Sequence, residues 1–298
     1  MNKTDGAQGM RVRNRRFRPR LFNNVVFAGG GNRCFWQAGF WTVAAPLLRL
    51  APVNVVAVSA GSAIASILFA GTFEQTFFDY KQAIAGNARN VYLRNFMRQK
   101  PIFPHGAMYR DAILQGIDTL ALQRLHRGPK IQVLLSCPPP WASTAVTIAL
   151  GALVAGWDAW GNENIHQSAG EWMGFKPLYV PVDACSTPLD LADLILASSC
   201  IPPLTPRKPM RGTIPLDGGL VSNVPIDPVA INKGDSLVLL TRNFERLPTV
   251  AGRTYVQPSE PIPVGAWDYT NGVALQATYD LGRRDAERFC KRMVGMLQ

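Results

Sequence analysis

Histidine and paired cysteine are scarce in this chain. Only three of its 298 residues are histidine, His105, His126 and His166, and they form no HExxH or His-x-His pair, so a histidine-based zinc site has no support. Each is expected on the surface or at a cap. The five cysteines, Cys34, Cys137, Cys185, Cys200 and Cys290, are odd in number and contain no CxxC. That excludes a disulfide framework and a thiolate zinc site, and predicts free thiols in a reducing, cytoplasmic compartment. Charge is also sparse, at 17% of residues against 47% hydrophobic, which excludes a disordered chain. No Asp or Glu occurs between Gly6 and Phe73. The uncharged run from Trp141 to Trp157 would make a helix only about 25 Å long, against a hydrocarbon core of about 30 Å, so no membrane span is expected. Its Ala, Gly and Thr content predicts a buried helix. Its terminal tryptophans leave a helix at a lipid interface as the second reading.

The positive charge that is present is unevenly placed. Residues 1–20 hold seven Lys or Arg against Asp5 alone, so they carry +6 of a total of +11. Residues 1–22 read as a basic, disordered arm and 23–298 as a single domain. Arg15-Arg16 resembles a twin-arginine export motif, but arginines continue to Arg20 and Asn23-Asn24 interrupts any apolar region, so no signal peptide is predicted. Such an arm suits peripheral contact with anionic membrane. No aromatic-interleaved basic surface accompanies it, so no specific nucleic-acid partner is expected.

Periodicity and glycine placement predict a parallel sheet with covering helices. Asn24 to Ala28 and Val53 to Val58 are buried-type strands, each followed by a small-residue turn and an apolar helical stretch. Two βα units in succession point to a parallel sheet with covering helices, an α/β fold. Later strands are predicted at Ile131–Ser136, Leu178–Val182, Thr213–Leu216 and Ser236–Thr241. Helices are predicted at Phe73–Ala85, Tyr109–Leu120, Thr144–Gly156, Pro188–Ser198 and Gly272–Met296, and a loop over the proline-rich 244–268.

Three segments could carry chemistry. Gly29-Gly30-Gly31-Asn32-Arg33 follows the first strand but lacks the Gly-Lys-Ser/Thr of a P-loop, and no acidic residue stands where a dinucleotide site needs one. What remains is a tight turn or a nest of backbone N–H groups for developing negative charge. Ala57-Val58-Ser59-Ala60-Gly61 is a variant of the G-x-S-x-G nucleophile elbow, with Ser62 as a rival serine. Asp217-Gly218-Gly219 ends an apolar strand, as a turn or as a base. If that strand runs parallel to the Ser59 strand, both side chains emerge at one sheet edge.

Taken in order, these segments resemble the patatin-like phospholipases. That family has a G-G-G-x-R/K loop, a G-x-S-x-G elbow and a downstream D-G-G/A motif. Ala197-Ser198-Ser199-Cys200-Ile201-Pro202 and Asn223-Val224-Pro225 also look like family blocks. Ala57 stands where the elbow has its first glycine, and Cys34 where the loop usually has its last. The resemblance implies a three-layer α/β fold with a mainly parallel sheet and helices on both faces. It implies a lipid acyl hydrolase with Ser59 as nucleophile and Asp217 as base, supported by Gly61, Gly218 and Gly219. Gly29, Gly30 and Gly31 would form the oxyanion hole, and Arg33 would support the loop or draw in an anionic head group. No metal and no cofactor are implied. The alternatives are a short-chain esterase or thioesterase with the same pair, and a silent membrane-binding member of the fold.

Overall fold

Strand residues alternate between two faces of one sheet, and that alternation sorts the core. The computed structural model describes residues 21–159, 165–166, 169–231 and 234–297; the basic residues 1–20 lie outside them. In chain order the elements are β1 (Asn24–Phe27), α1 (Phe35–Leu48), β2 (Asn54–Val58), α2 (Ala60–Ala70), α3 (Phe73–Gly86), α4 (Arg94–Met97), α5 (His105–Gly116), α6 (Thr119–Arg127) and β3 (Lys130–Cys137). There follow α7 (Thr144–Ala159), β4 (Lys176–Pro181), α8 (Pro188–Ser198), β5 (Leu216–Asp217), α9 (Asp227–Ile231), β6 (Ser236–Leu239), β7 (Arg253–Val256) and α10 (Gly272–Leu297).

The sheet runs β4-β3-β2-β1-β6-β7, with β5 added to β3. Strands β3, β2, β1, β6 and β7 are mutually parallel, while β4 and β5 run antiparallel to β3. This is the expected mainly parallel α/β sheet. Val25, Phe27, Val55, Ala57, Val133 and Leu239 face a large core built with α1, α2, α3, α5, α8 and α10. Val26, Val56, Val238 and Leu240 face the other way, onto Val224 and the α9 residue Val229. Both faces are covered, as parallel strands require.

Several sequence expectations shift. Phe22, placed in the arm, is buried and belongs to the main core, so packing begins by Leu21. The segment 244–268, expected as a loop, contains β7, a short edge strand that its proline-rich setting conceals. Helix α6 was not foreseen. It is strongly amphipathic and capped by the Asp118 carboxylate, which accepts from Ala121 N–H at 2.7 Å. Helix α7 is only partly buried over 144–152. Thr147 and Gly151 turn inward, Gly151 against Leu216, while Thr144, Ala145, Val146, Ala149 and Ala152 are exposed. Trp141 is exposed, and Trp157 has no described side chain. Among the described residues no helix is long and apolar enough to cross a membrane.

Candidate functional site

Ser59 follows the last residue of β2 and immediately precedes α2. Its backbone has φ 53°, a conformation that non-glycine residues rarely adopt and that persists only when neighbours enforce it. Ser198 is one such neighbour. Its hydroxyl accepts from Ser59 N–H at 2.8 Å and donates to the Leu134 carbonyl at 2.6 Å, tying the elbow to α8 and β3 together. Gly61 is another, because a Cβ there would sit 2.5 Å from the Ala28 carbonyl oxygen; only glycine lets α2 start this close to β1. Ala57 fits in the sheet, fully buried between Phe27 and Val133. The rival Ser62 is fully buried and donates to the Ser59 carbonyl at 2.5 Å, which makes it part of the helix start.

Asp217 arrives by a route that the parallel expectation missed. Strand β4 occupies one edge of β3 as far as Cys137, and β2 occupies the other as far as Leu134. When β2 leaves that edge after Val58, β5 takes it over from the opposite direction, pairing Asp217 with Leu135. An antiparallel strand therefore delivers the carboxylate to the end of a parallel one. Ser59 Oγ–H donates to Asp217 Oδ2 at 2.6 Å, and Gly219 N–H donates to Asp217 Oδ1 at 2.7 Å. Ser59 and Asp217 are each 5% exposed. Burial pushes the Asp217 pKa up to about 6, against the opposing pull of the bonds from Ser59 and Gly219.

The glycine loop crosses beside this pair. Gly29 is clamped: its N–H donates to the Asn223 carbonyl at 3.0 Å, and its carbonyl accepts from Asn223 Nδ2 at 3.3 Å and from the Thr241 hydroxyl. Its amide is therefore spent, which removes Gly29 from the three oxyanion donors expected from the sequence. The Gly30 and Gly31 amides have no acceptor among the described residues. Gly31 has φ 57°, and a Cβ on it would lie 2.2 Å from the Ala266 carbonyl oxygen, so the loop is seated against 266–268. Asn32 completes that seat, its N–H donating to Ala266 at 3.0 Å and its Nδ2 to Asp268 O at 2.8 Å. Arg33 is half-buried in the 3₁₀ turn that follows and forms no ion pair among the described residues. Cys34 is buried with its thiol toward the Ala28 carbonyl, and burial pushes its pKa far upward, so it stays a thiol.

A narrow pocket of about 40 Å³ opens next to Gly31 and Ala60, lined by Phe35, Ile64, Phe77, Tyr80, Tyr109 and Ile113. Its polar groups are already engaged. Tyr80 OH donates to Asn32 Oδ1 at 2.9 Å, Tyr109 OH pairs with Ser199 Oγ at 3.1 Å, and Thr76 OH donates to the Thr72 carbonyl at 2.8 Å. Burial raises both phenol pKa values well above ordinary, so the pocket presents neutral, apolar walls.

None of the histidines joins Ser59. His126 Nε2 lies 3.1 Å from the Cys185 carbonyl, and His166 bridges the Val224 carbonyl and Tyr255 OH at 3.0 and 2.8 Å. His105, expected at the surface or a cap, does head α5 but is buried, its ring 4.4 Å from that of Tyr269. Among the described residues no group of three or more His, Cys, Asp or Glu could hold a metal ion.

The family model for patatin-like phospholipases matches residues 25–230, more than half of the chain. The chain belongs to the patatin-like phospholipase family. In general terms that is a family of lipid acyl hydrolases. Among solved structures it is similar to VipD from Legionella pneumophila, at 10% identity and a TM-score of 0.45, over 91% of this chain and 67% of that one. No curated protein matches it. Within this patatin-like chain, Ser198 and Asn223, which lie in the two further family blocks, are positioning groups together with Thr241 and Ala266, which no motif singled out.

Two outcomes follow from this geometry. Ser198→Ala removes the shared partner of Ser59 N–H and Leu134 C=O; thermal unfolding should show a loss of about 1–3 kcal/mol, and kcat on a soluble ester should fall while KM stays close to wild type. Asp217→Asn should instead stabilise the chain. The folded pKa of about 6 lies above the unfolded value, so the ionised carboxylate disfavours folding above pH 6 and not below about pH 4. The gain on unfolding should therefore be roughly 2–3 kcal/mol at pH 8 and vanish near pH 4. A variant less stable than wild type at pH 8 would contradict this.

Proposed function

We propose that this chain hydrolyses carboxylic esters of lipids through Ser59 and Asp217. The observation that carries the reading is the 2.6 Å hydrogen bond from Ser59 Oγ to a buried carboxylate with a pKa near 6. A carboxylate of ordinary acidity would be a feeble base toward a serine hydroxyl, and desolvation strengthens it. As Ser59 Oγ attacks the ester carbonyl carbon, its proton passes to Asp217 Oδ2 and the carbonyl oxygen becomes an oxyanion. The unspent Gly30 and Gly31 amides and the N-terminus of α2 are the donors that would stabilise that charge. Collapse expels the alcohol, which takes the proton from Asp217 and leaves an acyl-serine. Water then attacks, again giving its proton to Asp217, and Ser59 departs with that proton as the fatty acid is released.

The apolar pocket beside Gly31 and Ala60 suits the acyl chain, and Arg33 suits an anionic head group. The machinery uses only backbone amides, a hydroxyl and a carboxylate, so no step asks for a metal. Contact of the basic arm with anionic lipid belongs to the same reading, and the arm takes no part in the chemistry.

Ser59→Ala should abolish ester hydrolysis, and a serine-reactive fluorophosphonate should label wild type at Ser59 alone. Because Asp217 must be ionised to accept the proton, kcat/KM should fall as pH drops through about 6 and be flat above it, with excess chelator leaving the rate unchanged. Activity that survives in Ser59→Ala would end the assignment. Chain length separates the short-chain alternative: with monomeric esters, kcat/KM should climb with each added methylene until the pocket is filled. A decline beyond acetyl would favour a simple esterase.

A further inference from the structure

The surface between α3 and α5 carries a strong excess of positive charge. Residues 80–110 contain six Lys or Arg and no Asp or Glu. Within them, 91–101 form a protrusion closed at its base by Tyr92 N–H to the Ile102 carbonyl at 2.8 Å. It is closed inside by Lys100 N–H to Asn95 O at 3.0 Å and Asn95 Nδ2 to Pro101 O at 2.8 Å. It is a compact loop of the Ω type, with the short helix α4 at its tip. The tip is inverted in polarity relative to a folded core: Leu93, Phe96 and Met97 are 74%, 74% and 86% exposed, with Arg94, Arg98 and Lys100 around them.

The base of this protrusion is fastened to the rim of the Ser59 site. Asn87 Nδ2 donates to the Tyr269 carbonyl and Asn90 Oδ1 accepts from Tyr269 N–H, each at 2.8 Å. Residues 266–269 are the segment that seats Gly31 and Asn32 and supplies Tyr269 to the apolar pocket. Side chains that are costly to leave in water thus belong to a loop whose base is bonded to the segment that lines the apolar pocket.

We propose that Leu93, Phe96 and Met97 insert into the surface of an anionic membrane while Arg94, Arg98 and Lys100 meet its head groups, docking the chain with its site against the lipid. The proposal rests on the hydrolase reading for its purpose and names a surface that the reading does not contain. Charge decides the occupant. An apolar tip ringed only by cations complements a layer that is apolar inside and anionic outside. Three side chains on one turn are too few for a stable protein interface.

The test is flotation of the full chain with phosphatidylcholine vesicles, with and without phosphatidylserine, alongside turnover of a soluble short-chain ester. The combined variants L93S/F96S/M97S and R94E/R98E should each lose at least about tenfold in partitioning to phosphatidylserine vesicles, while soluble-ester rates stay within about twofold of wild type. In high salt the wild type should keep more binding than the serine variant, because apolar insertion is not screened. Undiminished binding by both variants would overturn the proposal in favour of the basic arm or the α7 face. Loss of soluble-ester turnover together with binding would overturn it by making the loop a structural support. If wild type floats, the variants do not, and no chain turns over any ester, the docking surface stands and the hydrolase reading falls.

Discussion

For Ser59 and Asp217 to share one hydrogen bond, two chain segments running in opposite directions must arrive at the same point along β3. Everything near the site serves that meeting. The edge that β2 vacates after Val58 is the edge on which β5 pairs, and the handover occurs within one residue, from Leu134 to Leu135. A two-residue strand has little stability of its own. It is held because its backbone joins an existing ladder, because Asp217 N–H donates to the Cys200 carbonyl at 2.9 Å, and because Leu216 is buried beside Val58 and Leu134.

The same economy governs the glycine loop. Strands β1 and β6 pair in register up to Phe27 and Leu239, so two residues further Gly29 comes level with Thr241, whose hydroxyl caps the Gly29 carbonyl. Asn223, six residues beyond Asp217, fills both remaining needs of Gly29. One residue of the loop is thereby fully satisfied, so the next two can present unspent amides without the loop collapsing. In the proposed reaction, preorganised donors of this kind would stabilise developing charge without reorganising.

Much of this was legible in the sequence, and the limits have physical causes. Gly29 to Arg33, Ser59 and Asp217 are visible because each demands a residue type that few others can replace: an unhindered backbone, a hydroxyl at a strained turn, a carboxylate at a strand end. The direction of β5 was not legible, since parallel and antiparallel neighbours are built from the same apolar residues. Thr241, and the bonding role of Ser198 within its family block, were hidden for a related reason. A hydroxyl that binds a backbone group some distance away in sequence looks, in one dimension, like any other Ser or Thr. The edge strand β7 was lost among prolines, and α7 was read as buried because its Ala and Gly content fits burial as well as it fits a half-exposed helix with one narrow contact face.

Desolvation links the chemistry to the pocket. The burial that raises Asp217 to about 6 also raises the phenols of Tyr80 and Tyr109, and it would strengthen any hydrogen bond from Gly30 or Gly31 to an oxyanion. In the proposed ester hydrolysis, burial this complete would favour the first half, which needs no water, over the second, which does. In the proposed reaction the substrate's acyl chain would occupy the apolar pocket beside Gly31 and Ala60. The departures at Ala57 and Cys34 are accommodated for one reason: both side chains are small and fully buried, Ala57 in the sheet and Cys34 with its thiol toward the Ala28 carbonyl.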